Sequence, residues 1–182
     1  GIAVKEIRGD YRGEGGVNRN GLRPWDITDV RPRPDDIWQE RLYAIQWMDA
    51  KDIANGKTYP RTWFAAPTED DLAREDDVAS YVEQHLVAWQ EAGFVPDMKI
   101  EPGNKTDEPI RTRGWTYWHH LFNPRQLLLA TLWKKYGENS PSSMLKLLKA
   151  LDFNGKCAAW QTNSEACANV FTNQALNPLY NY

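Results

Sequence analysis

The sequence predicts an α+β fold, with an N-terminal β-hairpin or small antiparallel sheet followed by a helical C-terminal half. Three observations carry that expectation. A run of bulky, β-favouring residues over 41–48 is answered, after the turn signal Asn55-Gly56-Lys57, by a second such run over 59–65. Apolar residues then recur at helical spacing at Val78, Tyr81, Val82, Leu86 and Trp89. Two later segments open on Asn123-Pro124 and Ser140-Pro141, a capping residue followed by proline at the first helical position.

Taken in order, residues 1–36 form an irregular segment. Ile2, Val4 and Ile7 suit a short strand, but Gly9, Gly13, Gly15, Gly16 and Gly21 interrupt any regular element after it. Arg31-Pro32-Arg33-Pro34 is extended by proline geometry and reads as a linker or an edge. Residues 37–112 form a second subdomain, a hairpin plus a helix. Its connection is longer than two residues, and Pro60 puts the returning strand at an edge, since proline cannot donate to a ladder.

Thr68 is the expected N-cap of the following helix, with Asp71 at the capping-box position and acidic groups in the first turn facing the helix dipole. Gly93 is its natural stop, whether the stretch is one long helix or two broken near residue 76. Pro96, Pro102-Gly103-Asn104 and Pro109 mark 95–112 as a polar loop. Residues 113–182 form a helical subdomain. One helix runs from Pro124 to Gly137, a second buries Met144, Leu145, Leu147, Leu148 and Leu151, and a third is expected over 164–176, ended by Asn177-Pro178.

A chain of 182 residues with 41% hydrophobic residues and nine Trp can bury a core without staples. No apolar run approaches a membrane span, so cytoplasm is the expected compartment and no membrane partner is expected. Residue 1 is Gly where a full-length protein has Met, which suggests an internal piece of a longer one. The net charge of -3 excludes a uniformly basic duplex binder, leaving a local patch as the route to nucleic acid. Cys157 and Cys167 make neither a disulfide framework nor a closed zinc site, and free buried thiols are expected.

No catalytic motif is visible: there is no Gly-x-Gly-x-x-Gly after a strand, no phosphate loop and no nucleophile elbow. The side chains of His119 and His120, adjacent in sequence, diverge and do not suit a shared metal. The carboxylates over 69–77 read as solvated helix-terminal charge. Asn177-Pro178-Leu179-Tyr180 has a superficial likeness to the Asn/Asp-Pro-Pro-aromatic turn of amino methyltransferases, but lacks the second proline and reads as a helix-ending turn. The segment with most character is 110–126, where Arg111, Arg113 and Arg125 are interleaved with Trp115, Tyr117 and Trp118. That combination grips phosphates and stacks bases. The same residues equally suit a loop anchored on the core by Trp115, Trp118 and Phe122, with the arginines paired to carboxylates.

Gly114-Trp115-Thr116-Tyr117-Trp118, followed by Leu121-Phe122-Asn123-Pro124-Arg125-Gln126-Leu127-Leu128, resembles the stretch ahead of the second catalytic motif in a family of adenine-specific DNA methylases. These contain a zinc ribbon and an N-terminal domain of unknown function. Ala66-Pro67-Thr68-Glu69-Asp70-Asp71-Leu72, Cys157-Ala158-Ala159-Trp160 and 170–176 are similar to further pieces of the family, in the same order, although Asn173 stands where the family has Arg. The resemblance implies a non-catalytic internal segment lying between the cofactor-binding motif and the Asp-Pro-Pro-Tyr motif. It would serve DNA recognition or act as scaffold in an enzyme that methylates adenine with S-adenosylmethionine. In that reading Arg111, Arg113 and Arg125 contact phosphate, Trp115 stacks on a base or supports the loop, and Gln126 reaches a base edge. S-adenosylmethionine and catalysis belong to the rest of the parent chain, and no metal or cofactor falls to this segment. The alternative is a protein-interaction module of a phage-defence or restriction-modification assembly, in which the hairpin edge and the acidic helix bind another subunit.

Overall fold

The computed structural model describes residues 22–103, 106–161, 163, 166–167, 170–172 and 175–176. The expected strand near Ile2, the glycine-rich stretch to Gly21, Asn173 and the Asn177-Pro178 turn lie outside the described residues. The architecture is α+β. A two-stranded antiparallel sheet lies toward the N-terminal side, and most of the helix follows it. No helix among the described residues is long and apolar enough to cross a membrane.

The chain divides into two compact units, residues 40–77 and the rest. In the first, β1 (Ile45–Met48) pairs with β2 (Thr62–Ala65), placing Trp47 opposite Trp63 and Gln46 opposite Phe64. The connection holds a short helix that sequence reasoning missed, α1 (Ala50–Ala54), capped by Asp49, whose carboxylate accepts from the amides of Lys51 and Asp52. Arg61 and Lys57 close on Asp52, at 3.1 and 2.8 Å, and Arg61 also meets Asp49 at 2.8 Å. The connection is thus tied to the start of the returning strand. Thr68 and Asp71 make the expected reciprocal cap of α2 (Glu69–Glu91), with the Thr68 amide donating to Asp71 at 2.9 Å and the Asp71 amide to the Thr68 hydroxyl at 3.2 Å. The helix is continuous through residue 76.

In the second unit α2 ends where Gly93 takes φ +70°. The amides of Gly93 and Phe94 return to the carbonyls of Gln90 and Trp89, the paired bonds of a Schellman stop. Residues 95–112 are not loop throughout, because 107–113 form α3 (Asp107–Arg113). Pro109, a helix breaker in sequence, falls in the first turn, where its missing N–H has no intrahelical partner to lose. Asn123 and Gln126 form a capping box, both bonds 2.9 Å, at the start of α4 (Pro124–Gly137). Ser140 caps α5 (Pro141–Phe153), which packs on α4 across a short connection.

The helix expected over 164–176 is corrected. The described residues there form two short antiparallel pairs, β3 (Trp160–Gln161) with β4 (Ala166–Cys167) and β5 (Phe171–Thr172) with β6 (Ala175–Leu176). Ser164, Cys167, Asn169, Thr172 and Asn173 make up five of the thirteen positions over 164–176. All are poor helix formers, and several bond their own backbone in turns.

Two apolar clusters hold this unit. Trp25, Ile100, Trp115, Leu121, Cys157 and Val170 make one, and Val30, Val82, Leu86, Val95 and Leu127 make the other, with Phe122 packed against both. Gly114 ends α3 at φ +76°, and a Cβ there would sit 2.2 Å from the Arg23 carbonyl oxygen. Gly93 has a similar φ but open space around it. Gly114→Ala should therefore lower stability by more than about 2 kcal/mol, combining left-handed strain with a backbone clash, and Gly93→Ala by only about 1 kcal/mol. Urea denaturation of both variants checks this; equal losses would mean that the close approach of Arg23 is not limiting.

Candidate functional site

The interleaved Arg–aromatic segment folds as a closure on which three distant stretches converge. Its backbone lies against residues 23–26: the Trp25 amide donates to the Gly114 carbonyl at 2.8 Å, and the Thr116 hydroxyl donates to the Trp25 carbonyl at 2.5 Å. On the other side the Ile100 amide donates to the Thr116 carbonyl at 2.9 Å, and Lys99 bridges to Tyr117. The Lys156 amide donates to the Leu121 carbonyl at 2.7 Å.

Each sequence-predicted site residue has a distinct place here. Trp115 is 5% exposed, set edge-to-face against Trp25 with ring centroids 6.3 Å apart. The Lys156 ammonium lies 4.3 Å from the Trp115 ring and 4.7 Å from the Trp25 ring, a cation shared by two aromatic faces. Of the two roles open to Trp115, the geometry has it supporting the loop. The Gln126 side-chain oxygen is spent on the Asn123 amide, so the residue starts a helix. Arg111 and Arg113 share the last turn of α3. The Arg113 guanidinium lies 4.2 Å from the Trp38 ring, while Trp38 Nε1 donates to the Thr112 carbonyl at 3.0 Å. Arg125 is exposed in the first turn of α4. The three arginines are thus carried at helix ends that flank the closure, while Trp115 helps to build it and Gln126 caps the helix that follows.

The histidine rings do not diverge as their adjacency predicts: in the tight 3-10 turn over Trp118–Leu121 their centroids lie 4.3 Å apart, edge to face. His120 Nδ1 accepts from the amides of Thr116 and Tyr117, at 3.1 and 3.2 Å. That nitrogen therefore carries no proton, so Nε2 carries one and donates to the Asp26 carbonyl at 3.0 Å. His119 Nδ1 meets the Pro96 carbonyl at 3.2 Å, and its Nε2 has no hydrogen-bond partner. Both rings are fully buried. Burial, with the Lys156 charge adding to it, brings His119 down to about 4; burial, the His119 ring and Lys156 bring His120 down to about 3. Both are neutral structural groups at neutral pH. Burial likewise pushes the Cys157 thiol up to about 12, which leaves it un-ionised and unreactive. Among the described residues, no group of three or more His, Cys, Asp or Glu is placed to hold a metal ion.

Sequence reasoning missed the ionic cluster before the hairpin. Arg23 grips Asp36 through two bonds, at 3.0 and 2.8 Å, and meets Asp29 at 2.5 Å. Arg33 joins Asp29 to Asp26, at 3.0 and 2.9 Å. Asp29 is 8% exposed, and burial works to raise its pKa; the bonds from Arg23, the Asp26 amide and Arg33 outweigh this and hold it below the usual carboxylate range. The Arg31-Pro32-Arg33-Pro34 stretch is a folded loop around these charges. The alternation of Arg and Asp between residues 23 and 36 was the available signal. In the hairpin unit, Trp47 and Trp63 on one face of the strand pair and Met48 and Phe64 on the other are each at least 43% exposed.

No family model matches this chain, and no curated protein or solved structure is similar to it. A test of the site is electrostatic. His119 and His120 are neutral when folded and titrate near 6.5 when unfolded, so the unfolded chain binds more protons below that pH. Stability should be full above pH 6.5 and fall as pH drops toward 4, by about 1.4 kcal/mol per pH unit for each histidine. Urea midpoints measured across that range check it; a flat profile would mean that the histidines are solvated.

Proposed function

We propose that this chain is a non-catalytic segment of an S-adenosylmethionine-dependent, adenine-specific DNA methyltransferase, acting as a scaffold that presents arginines to DNA. What carries the reading is the fate of residues 114–128, the stretch with the methylase resemblance. Trp115, Thr116 and His120 turn to the distant stretch 25–26 to close the fold and Gln126 caps its own helix, while Arg111, Arg113 and Arg125 are borne on the helix ends beside them. A segment built this way fixes the spacing of cations without offering groups for chemistry. Guanidinium groups suit phosphate, because their planar donor fork matches its oxygens. Phosphate contacts position a protein on DNA without reading sequence. Methyl transfer and S-adenosylmethionine binding belong to the remainder of the parent enzyme, whose setting is the cytoplasm. No residue of this chain is assigned to either.

The experiment is a titration of the chain with labelled duplex and single-stranded DNA at low and moderate salt. Wild-type binding should weaken steeply with salt. The double variant Arg111→Ala/Arg113→Ala should bind more weakly, with the slope of log K against log salt reduced by about 2, roughly 0.9 for each phosphate that is no longer neutralised. Unchanged affinity and slope would remove the arginines from the interface.

A second reading is favoured by the exposed apolar residues of the hairpin. Trp47 and Trp63 face each other across the strands at 43% and 50% exposure, the kind of surface that docks against another protein. In that reading the partner is a further subunit of a phage-defence or restriction-modification assembly. Pull-down from nuclease-treated lysate should then retain a partner with the wild type and lose it with Trp47→Ser/Trp63→Ser. Retention by both forms would exclude the hairpin as the docking surface.

A further inference from the structure

Between α4, α5 and the turn that follows α2 lies a cleft of about 300 Å³. Both helices line it with residues at helical spacing, Leu127, Thr131 and Lys134 from α4 and Met144, Leu147 and Leu151 from α5. Its volume is at the lower end for small-molecule sites, and about twice that of an apolar cavity able to hold benzene. The lining is apolar except for two groups. Thr131 is 1% exposed, and its hydroxyl has no hydrogen-bond partner. Lys134 is half-buried, with its ammonium donating to the Gly93 carbonyl.

An unpartnered buried hydroxyl lowers stability, and a Val of the same shape would avoid that loss, so packing alone does not explain a threonine here. A ligand group does. The hydroxyl can donate, and an ammonium carries three donors, of which the Gly93 carbonyl takes one. The head group that satisfies both is acceptor-only and anionic, with more than one oxygen: a carboxylate. The walls require an apolar body behind it. We propose that this cleft binds a medium-chain carboxylate, its hydrocarbon tail between α4 and α5 and its head at Thr131 and Lys134. The site uses none of the arginines assigned to DNA and stands independently of that assignment.

Calorimetric titration of the 182-residue chain with sodium octanoate tests this, with octanol and acetate as companions. Octanoate should bind saturably with one site, octanol roughly tenfold more weakly for want of the charged head, and acetate not measurably. Thr131→Val should weaken octanoate roughly tenfold while raising the melting temperature of the ligand-free protein. Lys134→Met should bring octanoate to the affinity of octanol. Since Thr131→Val preserves shape, loss of binding in it cannot be put down to misfolding. No saturable binding of octanoate, or equal affinity in the wild type and Thr131→Val, overturns the proposal.

Discussion

The contact on which the larger unit depends is the apposition of residues 23–26 with 114–120. Three bonds make it, from Trp25 N–H to the Gly114 carbonyl, from the Thr116 hydroxyl to the Trp25 carbonyl, and from His120 Nε2 to the Asp26 carbonyl. The backbones come close enough that only glycine fits at 114. Everything in the first apolar cluster follows from that closeness, since it brings Trp25 onto Trp115 and leaves a cationic slot for Lys156. Buried polar groups usually weaken a core. Here those at the junction are satisfied in pairs, so they specify register as well as adding stability.

Charge is arranged around the same junction. Arg23 contributes its carbonyl to the tight approach at Gly114 and its guanidinium to Asp29 and Asp36. One residue therefore joins the closure to the loop that precedes the hairpin. The charge of Lys156 lies over the indole faces and disfavours protonation of the histidines beneath, consistent with their neutral, hydrogen-bonding role. The arginines proposed for DNA contact sit at the ends of α3 and α4. Under the proposed DNA role, phosphate binding and fold maintenance would fall to neighbouring residues of one segment.

What was legible in the sequence was local. The Asn55-Gly56 turn, the Thr68/Asp71 cap, the Asn123-Pro124 helix start, the Gly93 stop and the apolar spacing of 78–89 act over a few residues, so propensity and period find them. Where reading failed, position within an element decided the outcome. Pro109 looks like a breaker until it is known to sit in a first turn, and the helix expected over 164–176 gives way to short antiparallel pairs. The aromatics of 115–122 were equally compatible with stacking on bases and packing on a core, because an indole serves both and residue type carries no direction.

By itself the sequence determined the α+β class, the hairpin turn, the caps or stops of α2, α4 and α5, and the presence of a cationic, aromatic segment of unusual composition. Only the tertiary structure decided which of those side chains turn inward. Trp115 was committed to the fold by contacts with residues about 90 positions upstream and 40 downstream (Trp25 and Lys156), whereas Gln126 was engaged locally, in the cap of its own helix with Asn123. The physical reason is that burial is a property of the partner as much as of the residue. Local propensity is set by near neighbours along the chain, whereas the partners of Gly114, Thr116 and His120 were brought to them by closure of long loops.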